Sequence, residues 1–223
     1  MAKRLFDVGV STAVLVICLP LFLLTAIGIK LTSPGPVYYR AKRVGLNGKM
    51  FVMHKFRSMH VQQDHRRTLI TAVKDDRVFP LGRWLRRLKI DELPQLYDVL
   101  RGEMSLVGPR PEDPDIVKRH YSEEQLATLR VRPGLTSPGS LYNYTHGHLY
   151  LSDHDVEKTY AEKLLPVKLS LENVYVNQAG ILYDLAIIAR TVWVIANMAC
   201  GRKHFQNPPE MRKATSGSLQ ISG

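Results

Sequence analysis

Val8-Gly-Val-Ser-Thr-Ala-Val-Leu-Val-Ile-Cys18-Leu-Pro20-Leu-Phe-Leu-Leu-Thr-Ala-Ile-Gly-Ile29 is the stretch on which the fold turns. It carries no charged side chain, and its length matches the ~20 apolar residues needed to cross a hydrocarbon core. Lys3 and Arg4 ahead of it would suit a secretory leader, but the run is long for one and no small-x-small cleavage site precedes Ser33. Pro20 lies near the middle, where its missing N–H and its ring break or kink a helix. Lys3 and Arg4 flank one end, and Lys30, Arg40, Lys42 and Arg43 the other, so neither end is marked for export by the preference of cations for the cytoplasm. Composition alone leaves two readings: a hairpin that re-enters the same leaflet at Pro20, or a spanning helix with a tolerated proline.

Working outward, Thr32-Ser-Pro-Gly-Pro36 ends the membrane segment. Val37-Tyr-Tyr39 and Met50-Phe-Val-Met53, separated by the Gly45-Leu-Asn-Gly48 turn, read as a short β-hairpin. The polar stretch 61–74, with His65, Arg66 and Arg67, reads as a loop or short helix with a solvated charged surface. Leu81, Trp84, Leu85 and Leu88 fall at helical spacing, and Asp91 opens a second helix carrying Leu93, Leu96, Val99 and Leu100, with Pro94 in its first turn. Residues 107–111 read as a rigid loop, 114–130 as helix, and 132–139 as a further turn-rich loop ahead of Tyr142, Tyr144 and His146. Residues 181–200 are apolar apart from Asp184, Arg190 and Asn197, which suits an amphipathic helix lying on the core and the membrane surface, with Trp193 at the interface. The polar tail from 207 reads as disordered. The expected architecture is α/β and mostly helical: an anchor over 1–36, a small globular domain over 37–206 and a tail over 207–223.

The formal charge of +11 draws the chain toward anions, whether nucleic acid, lipid headgroups or phosphorylated substrates. Two cysteines, Cys18 and Cys200, exclude a disulfide framework and suit a reducing cytoplasm. His146, His148 and His154 lack metal-site spacing, and no nucleic-acid module accompanies the basic helix around Trp84.

The densest chemical signal is Arg86-Arg-Leu-Lys-Ile-Asp91-Glu92-Leu-Pro-Gln95. A helix start would hold such a carboxylate ionised through its backbone N–H groups and dipole, and an ordinary N-cap explains the same pattern. Adjacent helical positions point about 100° apart, so Asp91 and Glu92 would address different parts of a substrate rather than share a proton. A carboxylate nucleophile attacking phosphorus needs cations or Mg²⁺ beside it. Lys55, Arg57, Arg86, Arg87, Arg110 and Arg132 are the candidates.

Four blocks carry a resemblance: Lys55-Phe-Arg-Ser-Met59, Asp91-Glu-Leu-Pro-Gln-Leu96, Gly102-Glu-Met-Ser-Leu-Val-Gly-Pro-Arg-Pro111 and Val131-Arg-Pro-Gly-Leu-Thr136. In order and spacing they resemble the bacterial sugar transferases, the monotopic phosphoglycosyl transferases, from Lys3 to about Ala199. The resemblance implies a re-entrant helix kinked at Pro20, Mg²⁺ with Asp91 as a candidate ligand, and a covalent mechanism. Asp91 would attack the β-phosphate of a UDP-sugar and expel UMP. Glu92 would assist the polyprenyl phosphate acceptor, by taking its proton or by placing the metal. Arg86 and Arg110 would face phosphate or nucleotide, with Lys55, Arg57 and Arg132 as further candidates. The implied setting is the cytoplasmic face of a bacterial inner membrane, at the start of a lipid-linked glycan, with self-association left open. Two departures stand out. Leu19 replaces the serine often found before the kink proline, and Ser137-Pro-Gly-Ser-Leu-Tyr-Asn-Tyr-Thr145 replaces a run that carries an arginine near the phosphates. The rival reading is a non-catalytic basic adaptor for anionic lipid headgroups.

Overall fold

The apolar run forms two helices rather than one, α1 (Ala2–Ile17) and α2 (Leu19–Thr32), bent by 60° at Cys18. Pro20 sits in the first turn of α2, where the missing N–H is harmless to that helix but ends the ladder of the one before it. The computed structural model describes residues 1–61, 70, 75–151 and 155–219, so most of the charged stretch 61–74, with His65, Arg66 and Arg67, and also His154, lie outside the described residues.

The anchor is built inside out. Asp7 and Ser11 are buried at 2 % and 0 % exposure, while Leu5, Ile17, Leu19, Leu23, Leu24 and Leu31 stand exposed, a contiguous apolar surface that suits lipid rather than water. Its polar side grips the rest of the molecule at both ends. Lys3 donates to Asp184 (2.5 Å), Arg4 donates to the Val99 and Leu100 carbonyls (2.6 and 2.9 Å), and Asp7 accepts from Ser105 Oγ (2.9 Å) and Leu106 N (3.2 Å). At the far end, Arg57 donates to Ser33 Oγ and O (both 2.7 Å) and to the Pro36 carbonyl (2.6 Å).

β1 (Tyr38–Val44) and β2 (Met50–Phe56) pair antiparallel, from Tyr38 opposite Phe56 to Val44 opposite Met50, around a turn in which Asn47 and Gly48 take positive φ. The hairpin is longer than 37–39 and 50–53. Arg40 and Lys42 are exposed with Ala41 buried between them, so the basic side chains hid the alternation that marks a strand. α3 (Pro80–Arg87) and α4 (Gln95–Arg101) follow, joined by a single 3₁₀ turn, Ile90–Glu92. Asp91 therefore does not open the second helix, which starts only at Gln95. β3 (Ser105–Val107) and β4 (Gly134–Thr136) form a parallel pair, linked through α5 (Pro114–His120) and α6 (Glu123–Leu126), the latter closed by a Ser122–Gln125 capping box. Behind this pair a Cβ on Gly134 would fall 2.1 Å from the Gly108 nitrogen, so two of the sequence blocks need their glycines to lie back to back.

α7 (Pro138–His146), α8 (Val156–Thr159), α9 (Leu165–Gln178) and α10 (Ile181–Ala199) complete the body. Its core joins Leu96 of α4, Leu106 and Val107 of β3, Leu141 of α7, Tyr175 of α9 and Ile187 of α10. By length and composition α10 could cross a membrane, and its charges are covered: Asp184 accepts from Lys3 and Tyr175, and Arg190 donates twice to Glu210 (2.9 and 2.5 Å). Glu210 begins α11 (Glu210–Leu219), within the segment whose composition reads as a polar tail. A polar segment with little apolar surface is held here by one buried carboxylate reaching Arg190 and Tyr183 across the chain, a long-range contact that composition does not reveal.

Candidate active site

Two residues after α3, Lys89 takes a left-handed backbone (φ 58°, ψ 19°), and this reversal leads into the Ile90–Glu92 turn, which meets α7 through Glu92 and Tyr144. Asp91 and Glu92 are 7 % and 6 % exposed, and they live in opposite electrostatic settings.

Glu92 is a hub. Arg110 donates to both its oxygens (2.6 and 3.2 Å), Lys55 to Oε1 (3.1 Å) and the Tyr144 hydroxyl to Oε2 (3.1 Å). Burial alone would raise its pKa, but the charges of Arg110, Lys55 and Lys89 outweigh that and hold the carboxyl well below the usual range. A carboxylate so satisfied is a poor proton acceptor.

Asp91 Oδ1 is buried and, among the described residues, has no hydrogen-bond partner. Burial and then the neighbouring Glu92 push its carboxyl up, opposed by Lys55, Lys89 and Arg86. The expectation that helix N–H groups hold Asp91 ionised is thus corrected. It sits on a 3₁₀ turn, away from the α4 terminus, and its stabilising charges are side chains.

The cations expected at the site separate into distinct groups. Lys55, the last β2 residue but one, reaches the pocket and is bound to Glu92, with burial pushing its own pKa down. Arg110 reaches it from the loop after β3 and also donates to Tyr144 (3.2 Å). Arg86, on the last turn of α3, lies close enough to favour ionised Asp91. Arg57 and Arg132 are not brought there. Arg57 fastens the membrane exit to the hairpin through Ser33 and Pro36, and Arg132 is exposed, donating to the Gly102 carbonyl (2.8 Å). A two-residue step along a strand keeps Lys55 and Arg57 on one face, but β2 ends at Phe56, so that alternation fails.

Two residues at the site were missed. Lys89 places its ammonium 3.6 Å from the Tyr144 ring centre, and Tyr144 in turn bonds Glu92. No local signal in the sequence announces the left-handed backbone of Lys89. Tyr144 lies in the segment that departs from the common pattern. That segment is a helix rather than a loop, with Ser137 accepting from Ser140 N (2.9 Å) as its cap. Glu172 of α9 clamps it from behind, accepting from Ser137 Oγ (2.6 Å) and from the Arg110 backbone N–H (3.3 Å), with burial pushing its carboxyl to about 7.

The site is a buried carboxylate pair, one member saturated and one with an unpartnered oxygen, surrounded by cations that suit a phosphorylated ligand. The chain belongs to the bacterial sugar transferase family, which it matches over residues 1–198. It is 41 % identical over 196 residues to the undecaprenyl-phosphate glucose phosphotransferase of Komagataeibacter xylinus, covering 85 % of this chain and 35 % of that protein. The UDP-glucose:undecaprenyl-phosphate glucose-1-phosphate transferase of Caulobacter vibrioides is 38 % identical over 193 residues, covering 85 % of this chain and 68 % of that one. The exopolysaccharide production protein ExoY of Rhizobium meliloti is 34 % identical over 207 residues, covering 86 % and 84 %. The chain thus spans about a third of the first relative and most of the last.

Proposed function

We propose that this chain transfers a sugar-1-phosphate from a UDP-sugar to polyprenyl phosphate, the reaction carried in the names of its relatives, at the start of a lipid-linked glycan. The observation that carries the reading is the buried Asp91 oxygen, without a partner among the described residues, in a setting where Lys55, Lys89 and Arg86 favour its ionised form. In the first half-reaction an Asp91 carboxylate oxygen attacks the β-phosphorus, and the bond to the UMP oxygen breaks with its electron pair leaving on UMP. In the second, an oxygen of the acceptor phosphate attacks the same phosphorus and the acyl-phosphate bond breaks, restoring the Asp91 carboxylate. Glu92 holds Lys55, Arg110 and Tyr144 in place rather than moving a proton, because both its oxygens are occupied.

Mg²⁺ fits this donor set in one way. Among the described residues no three His, Cys, Asp or Glu side chains gather as a metal site, but Mg²⁺ takes one or two carboxylates together with substrate phosphates, and Asp91 offers an open oxygen. Bound there, Mg²⁺ would neutralise charge on the diphosphate.

The anchor enters and leaves by the cytoplasmic leaflet in this reading. Both its ends are gripped by one body, through Lys3, Arg4 and Asp7 and through Ser33. With a 60° bend and arms inclined equally to the membrane, the 16-residue α1 sinks only ~12 Å at 1.5 Å per residue, less than the ~15 Å hydrocarbon depth of one leaflet. Cysteines placed at Ala2 and Lys42, with Cys18 and Cys200 replaced by Ser, should both resist an impermeant thiol reagent applied from the periplasm; labelling at one end alone would make the anchor a span.

A panel including UDP-glucose and UDP-N-acetylgalactosamine, assayed with the full chain in detergent, tests the reaction. A covalent intermediate predicts that labelled UMP exchanges into the UDP-sugar without any polyprenyl phosphate. UMP release that requires both substrates, with no exchange, would replace the covalent route by direct displacement. No release from any sugar nucleotide would leave the lipid adaptor.

A further inference from the structure

Of the four cations gathered around the carboxylate pair, two already have partners, and Arg86 and Lys89 have none among the described residues. Lys55 is bound to Glu92, and Arg110 to Glu92 and Tyr144. Arg57 and Arg132, outside the pocket, serve carbonyls. Lys89 differs. Among the described residues its ammonium has no hydrogen-bond acceptor and no carboxylate within ion-pair distance; it lies 3.6 Å from the centre of the Tyr144 ring. Three N–H donors on a half-buried stem thus stand open beside Asp91, whose Oδ1 is open as well.

The backbone reinforces the point. Lys89 holds φ 58°, one of two non-glycine residues among those described with positive φ. A left-handed L-residue costs roughly 1–2 kcal/mol, and a position that only had to reverse the chain would be better filled by glycine. Strain of this kind persists where surrounding contacts over-determine it, characteristically at functional sites. Here it turns the Lys89 stem back over Tyr144, and because the Tyr144 hydroxyl is bonded to Glu92, the ammonium is fixed relative to the carboxylate pair. An unpartnered cation and an unpartnered buried carboxylate oxygen on one short turn suit a phosphoryl group, its anionic oxygens toward the cation and its phosphorus toward the nucleophile.

Resting on the sugar-phosphate transfer reading, we propose that Lys89 contacts the anionic oxygens of the phosphoryl group transferred at Asp91. The contact is to the β-phosphate of the donor, the group that stays on the enzyme, and not to the α-phosphate that leaves with UMP. It serves both half-reactions, since the same phosphoryl group is present in each.

The test uses the full chain in lipid nanodiscs with Mg²⁺, comparing Lys89→Gly, Lys89→Gln and Lys89→Arg with wild type. UDP, which carries a β-phosphate, and UMP, which does not, serve as binding probes. Removing a charged hydrogen-bond donor should weaken UDP binding and lower kcat/KM for UMP release by about 10- to 100-fold in the Gly and Gln variants. UMP affinity should not change, and Arg should restore most of the UDP affinity. Lys89→Gly also relieves the left-handed strain, so it should melt no lower than wild type, and Lys89→Gln tests the same contact with the side-chain length kept. UDP affinity within about twofold of wild type in both uncharged variants would overturn the proposal, as would an equal loss for UDP and UMP. Failure of the underlying reading looks different: UMP release that survives Asp91→Asn would remove sugar-phosphate transfer through Asp91 whatever Lys89 does.

Discussion

Asp91→Asn should abolish UMP release from UDP-sugars and the UMP exchange reaction, while membrane association and folding remain intact. The amide keeps the size of the carboxylate but cannot attack phosphorus, and loss of a covalent nucleophile lowers turnover by about 10⁴-fold or more. Folding should survive because the carboxylate is poorly served where it stands. Burial and Glu92 both push its pKa up, and Oδ1 has no partner among the described residues, so a neutral amide relieves an unfavourable charge. Membrane binding should survive because the contacts holding the anchor, Lys3 to Asp184, Arg4 to the α4 carbonyls and Arg57 to Ser33, lie elsewhere in the structure. The measurements are UMP release, exchange, a thermal melt and flotation with liposomes. A wild-type rate in the Asn variant would sink the nucleophile assignment.

Glu92→Ala should be the most damaging substitution for stability, at about 3–5 kcal/mol, because it strips the shared acceptor from buried Lys55 and Arg110 and leaves two uncompensated cations. Tyr144 loses its acceptor in the same step, and with it the surface on which Lys89 rests. Activity should fall with stability. Glu92→Gln should be milder, since its carbonyl can still accept from Arg110 while its NH₂ group meets donors. Denaturant unfolding in detergent reads the difference, and an Ala variant as stable as wild type would mean that the hub does not hold the pocket together. The two substitutions thus separate the adjacent carboxylates: loss of chemistry without loss of fold at Asp91, loss of fold and chemistry together at Glu92.

The elements that were legible from the amino-acid sequence are those written in short windows. Pro20 within an uncharged run marks the break, because its missing N–H cannot continue the hydrogen-bond ladder of the helix before it. Asn47-Gly48 marks the hairpin turn, and the order of the four sequence blocks was enough to identify the family and single out the Asp91-Glu92 pair. What was misjudged depends on residues far apart along the chain. Arg57 looked like Lys55, two positions away, yet β2 ends between them, and Arg57 is claimed by Ser33, which precedes it by 24 residues. Tyr144 reaches Glu92 across 52 residues, and Glu210 reaches back 20 residues to Arg190. Local propensity and hydrophobic period fix which segments bend, pair or enter lipid. Which cation answers which carboxylate, and therefore which carboxylate is left open to react, is decided only when the tertiary fold brings the charges out of water and makes each choose a partner.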